Sequence, residues 1–153
     1  MSSNYQIYLT APEYLAQWIC HTFGNPVQLI KDSPEMRLLN ELTVKLPAGE
    51  QPDTGDGANV IIPIPYFKGK DPSLYNHLHK TGKLALIESF TTLFDKNLWT
   101  EITDLSNGHV KRQTLIYAYM ERHGIDEKHW DTVSQRLHRL NQKYGKKKGI
   151  KVR

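Results

Sequence analysis

Residues 109–145, HVKRQTLIYAYMERHGIDEKHWDTVSQRLHRLNQKYG, decide how this chain is read. Within them Trp130, Val133, Leu137, Leu140 and Tyr144 recur at alternating spacings of three and four. That period puts them on one stripe and predicts an amphipathic helix over 126–144. Asp126 fits the N-cap, and Glu127 falls in the first turn, where the helix dipole favours an anion. Gly145 is a natural C-terminal stop. A second helix is predicted over 109–122, with Leu115, Ile116, Tyr119 and Met120, and Ala118 beside them, as its apolar side. His123-Gly124-Ile125 joins the two. Paired helices around a short glycine turn match a helix-turn-helix-like layout, with the later helix in the reading position. With Gly124 as the turn glycine, Ile125 and Val133 fall on inward positions, as does the large Trp130. Met120 and His123 depart from the pattern, which prefers a small residue and an aliphatic there. An ordinary αα-hairpin explains the same apolar spacing.

Charge separates the two readings. The last twenty residues carry eight basic groups and no carboxylate, leaving 12 basic and 16 acidic residues in the first 133. A localised cation on an acidic body attracts polyanions, of which nucleic acid is the commonest in a cell. The outward face of the 126–144 helix presents Lys128, Thr132, Gln135, Arg136, Arg139 and Lys143. The tail adds Lys146, Lys147, Lys148, Lys151 and Arg153. Such side chains bond phosphates and base edges, so these eleven residues are the candidate nucleic-acid-binding set. Duplex DNA is favoured over RNA, because no exposed aromatic cluster on a sheet presents itself for base stacking. The alternative is a protein-interaction module whose basic helix docks an acidic partner.

Upstream, Tyr5 to Leu9 alternates as a short strand. Thr10 caps a helix that includes Tyr14, Leu15, Trp18, Ile19 and Phe23 and stops at Gly24-Asn25-Pro26. Val27 to Ile30 reads as a second short strand, and Ser33-Pro34-Glu35 opens a helix towards Val44. Residues 47–59 form a long loop of glycine, proline and acidic residues, a type that is usually functional or disordered. Val60 to Pro65 is β-branched but interrupted by prolines, so it is an edge strand or arm. Lys68 to Pro72 turns into a short helix through Tyr75 and Leu78. From Gly82 a longer helix runs to Ile102, with a possible break at Asp95-Lys96-Asn97.

Little catalytic chemistry is present. Asp53-Thr54-Gly55 spells the aspartic-protease triplet but follows Gln51-Pro52 rather than a hydrophobic strand. Asp53, Asp56, Gly57 and Asn59 echo a calcium loop without its distal Glu. The histidines lack zinc spacing, no glycine loop follows a strand, and Cys20 is a lone thiol with no paired base. No enzyme, metal or cofactor is therefore expected. With no apolar run near 18 residues and no signal-like N-terminus, a cytoplasmic protein is expected.

Phe23-Gly24-Asn25-Pro26-Val27, Tyr66-Phe67-Lys68-Gly69-Lys70-Asp71-Pro72, Leu98-Trp99-Thr100-Glu101 and Met120-Glu121-Arg122-His123-Gly124-Ile125 with Trp130 resemble a family of short proteins encoded on mobile elements of Bacteroides-like bacteria. The likeness runs from about Tyr8 to Tyr144. It implies a bacterial cytosolic setting near integration, transfer or replication machinery, and no particular activity. The resulting expectation is a mainly α chain with a few short strands (α+β). It has a mixed body over 1–106, a helix-turn-helix-like pair over 107–145 and a basic tail over 146–153, and acts as a nucleic-acid-binding accessory or regulatory protein.

Overall fold

The computed structural model describes residues 2–105 and 109–145. The tail cations Lys146, Lys147, Lys148, Lys151 and Arg153 lie outside the described residues. The chain is predominantly helical with two small antiparallel sheets and divides into two compact units, Met1–Phe90 and Thr91–Arg153. No described helix is long and apolar enough to cross a membrane.

The first unit is built on strand β1 (Ser2–Leu9) paired antiparallel with β3 (Val60–Pro65), in register at Ile7 with Ile62 and Leu9 with Val60. Val60, Ile62 and Ile64 alternate inward along β3, and Ile7 and Leu9 do so along β1. A two-stranded sheet leaves one edge of each strand outside the ladder, so Pro63 and Pro65 are tolerated as edge residues. Helix α1 (Glu13–Phe23) packs on β3 with Leu15, Trp18 and Ile19 fully buried. Phe23 meets the rings of Trp18 and Phe90 edge-on, with centroids 6.1 and 5.9 Å away.

Several local expectations are corrected. Helix α1 starts after Pro12, and the Thr10 hydroxyl donates to the Gly57 carbonyl instead of capping it. Residues 27–30 form no strand, although the Val27 N–H donates to the Ile61 carbonyl at 2.9 Å. Helix α2 (Pro34–Leu42) is capped by Ser33, whose Oγ accepts from the Met36 N–H, and it ends before Val44. Val44–Lys45 instead forms β2, which pairs with β4 (Tyr75–His77), where a helix was expected. The Lys70 ammonium donates to the Asn40 and Thr43 carbonyls, covering the open end of α2.

The loop over 47–59 is tied down rather than loose. Asn59 bonds both the N–H and the carbonyl of Ala11, at 2.9 and 2.7 Å. Gly55, with φ +78°, lies so close to the Tyr8 ring that a Cβ would stand 2.7 Å from it. Glu50 meets His77 at 3.4 Å, and Asp53 is ion-paired with Lys83, so the protease-like triplet serves as an anchor. Burial pushes the Asp53 pKa up. The Lys83 and Gly55 hydrogen bonds and the Lys83 charge outweigh it and hold the carboxyl below its ordinary 3.8. A carboxyl lowered in this way stabilises the folded loop fully above that value and loses the contribution as pH falls through its own, lower pKa. Amide exchange around Gly55, corrected for intrinsic rate, is therefore expected to stay protected across neutral pH and to open only below about 3.8. Exchange around Gly55 that is fast at every pH would mean that the Asp53–Lys83 pair does not hold the loop.

Helix α3 (Lys80–Leu105) runs unbroken through Asp95-Lys96-Asn97. Its stripe of Phe90, Phe94, Leu98 and Ile102 is fully buried. The compact unit holding the C-terminal helices begins at Thr91, inside α3.

Candidate nucleic-acid interface

The second unit joins the later turns of α3 to α4 (Arg112–Arg122), a 3-10 turn (Glu127–His129) and α5 (Trp130–Leu140). A π turn over Asn141–Gly145 prolongs α5. The link between α4 and α5 is built as the residues require. Gly124 takes φ +71°, a left-handed conformation costly to a side chain. The Ile125 N–H returns to the Met120 carbonyl at 2.9 Å and the Gly124 N–H to the Glu121 carbonyl at 3.4 Å, closing α4. The Asp126 carboxylate then accepts from the Lys128 N–H at 3.0 Å and caps the next turn. Ile125, Val133 and Met120 are buried as that turn brings them inward. His123, where an aliphatic was expected, has a polar partner. Its Nε2 lies 2.9 and 3.0 Å from the two Glu101 oxygens, with the Tyr119 ring 4.3 Å away.

Helix α5 buries Val133, Ser134 and Leu137. Ser134 was missed as an inward residue because it is polar, yet it follows Val133 and falls three residues before Leu137, on the buried side. Its carbonyl accepts from the Arg112 guanidinium at 2.6 Å, and burial pulls the Arg112 pKa below its ordinary value. Trp130 is half-buried rather than a core residue, stacked on Tyr117 with centroids 5.8 Å apart. Leu140 and Tyr144 are likewise half-buried, and Tyr144 meets Trp99 at 6.0 Å.

Lys128, Thr132, Gln135, Arg139 and Lys143 are all exposed. Within α5, at 100° per residue, Thr132, Gln135 and Arg139 fall within about a quarter turn of one another, opposite the buried residues; Lys128 lies on the 3-10 turn before them and Lys143 on the π turn after. Lys143 also lies over the Tyr144 ring, 5.1 Å from its centroid. Asp131, exposed, borders this stripe on one side.

Arg136 does not belong to that set. It sits at the rim of the stripe, half-buried, and grips Asp95 of α3 with two hydrogen bonds of 2.8 Å. A half-buried carboxylate needs a matched cation, and this geometry uses both oxygens and two guanidinium N–H groups. Asn97, two residues along, accepts from the Tyr119 hydroxyl at 2.7 Å. The polar triplet that read as a helix break is therefore where α3 receives α4 and α5. No protein-family model, curated protein or solved structure matches this chain.

Proposed function

We propose that this chain binds nucleic acid, duplex DNA in preference to RNA, as an accessory or regulatory protein. The solvent side of α5 and the basic tail make the contact. The observation that carries this reading is the exposed stripe of Lys128, Thr132, Gln135, Arg139 and Lys143 opposite the buried face. Cations along it neutralise phosphates, while Thr132 and Gln135 between them hold the hydrogen-bonding groups that discriminate base edges. The capped glycine turn before α5 supports the helix-turn-helix-like layout.

The test is fluorescence anisotropy of the full chain on duplex DNA and structured RNA across a salt series. Replacing Lys128, Arg139 and Lys143 together by Ala is expected to weaken duplex binding and to flatten log K against log salt by about 2.7, or 0.9 per phosphate contact. Gln135→Ala is expected to reduce preference among sequences selected from random duplexes by about 1–3 kcal/mol. An unchanged salt slope would remove α5 from the interface. Negligible DNA affinity beside tight binding to an acidic protein would assign the same stripe to a protein partner.

A further inference from the structure

The first unit carries a cleft that α5 has no part in. It encloses about 600 Å³ between the turn before α2, the exposed side of α2 and the end of β3. Its floor is apolar, with Val27, Met36 and Pro65, and its rim holds Lys31, Arg37 and Lys68 against a single carboxylate, Asp32. All three cations are exposed, and among the described residues none is held in an ion pair. Other lysines of this unit differ: Lys70 covers the end of α2 and Lys83 anchors Asp53. Tyr66, at the mouth of the cleft, is 63% exposed, and Ile30 on the turn before α2 is 66% exposed. An aromatic this open contributes little to folding, and it stands beside cations that the fold leaves unpaired.

We infer that this cleft binds a single-stranded nucleic-acid segment, one base stacking on Tyr66 while Lys31, Arg37 and Lys68 take the adjoining phosphates. The chemistry recognised is a base joined to phosphate: an apolar floor and an aromatic face for the base, a cationic rim for the backbone. Stacking platforms set in basic grooves bind single strands in this way with little sequence preference, because every base has a π face. A free nucleotide shares this chemistry but offers one phosphate group to three separate cations, so the strand is the better match. The inference stands on the first unit alone and does not depend on the role proposed for α5.

The experiment measures anisotropy of fluorescein-labelled oligo(dT) of twelve residues, and of a duplex, with the full chain. Tyr66→Ala is expected to weaken oligo(dT) binding about tenfold, the scale of one lost base–aromatic stack, with duplex binding and melting temperature unchanged. Tyr66→Phe should retain the affinity, since the ring face is kept. Lys31→Ala with Lys68→Ala should flatten the single-strand salt slope by about 1.4, or 0.7 per contact. The α5 triple variant should reduce duplex binding while leaving the Tyr66 effect intact, so failure of either reading is visible separately. Oligo(dT) affinity indifferent to Tyr66→Ala would overturn the inference. Equal competition by thymidine monophosphate would overturn the strand and assign the cleft to a free nucleotide.

Discussion

Tyr119→Ala is expected to lower the unfolding free energy by about 4 kcal/mol, within the range for emptying an aromatic site in a core. Tyr119 is fully buried, meets Phe94 edge-on at 6.1 Å, and has the His123 ring 4.3 Å away. Its hydroxyl donates to Asn97, so Tyr119→Phe should cost about 1 kcal/mol, the usual net value of one such bond. Denaturant titration of the three proteins gives both differences. Tyr119→Ala within 1 kcal/mol of the parent would mean that α4 is not held on α3 through this ring. The same deletion should release His123 from its position over Glu101 and so loosen the turn that leads into α5.

The second large effect is expected at Arg136. Arg136→Ala should cost about 2–3 kcal/mol, because it strands a half-buried Asp95 carboxylate that now accepts two charged hydrogen bonds. Asp95→Ala should cost a similar amount. The double variant should be little worse than either single one, giving a coupling energy of about 2 kcal/mol. Nearly additive losses, or a silent Arg136→Ala, would show the pair to be a solvated contact of small value. Duplex affinity of folded Arg136→Ala should fall much less than that of the α5 triple variant, since this guanidinium is engaged within the protein.

Both predictions rest on partners that the linear pattern does not reveal. The helix pair was legible because its determinants are local: an apolar period, a glycine able to take positive φ, and an aspartate at the cap. The same period located five exposed positions, three within α5 and one on the turn at each end of it, since 100° per residue sorts inward from outward without knowledge of a neighbour. Arg136 failed that sorting because its partner lies 41 residues away. A rim residue is pulled inward or left outside by what stands opposite. Asp95-Lys96-Asn97 was misjudged for the same reason, since polar residues weaken a helix in isolation but strengthen one that meets complementary groups. In the first unit, residues 75–77 became a strand because Val44 and Lys45 are there to pair with them. Strand propensity depends strongly on such context. The hold on the loop over 47–59 could not be read from its own residues, because its anchors, Ala11, Tyr8, His77 and Lys83, are all outside it.

The pairing of β1 with β3 also has a consequence for biosynthesis. Leu9 faces Val60 in register, so the ladder joins residues 51 apart in sequence. A ribosome adding about 5–20 residues per second brings out β1 several seconds before its partner follows. Through that interval Ile7 and Leu9 have neither their sheet partner nor the aromatic core that Phe90 completes. A nascent chain with a bare apolar strand is open to mispairing with its neighbours. Asn4 and Gln6, exposed in the finished protein, interrupt the apolar surface of the waiting strand. They are the residues whose replacement by valine would shift the outcome of synthesis from folded chain towards aggregate while leaving the completed fold nearly as stable.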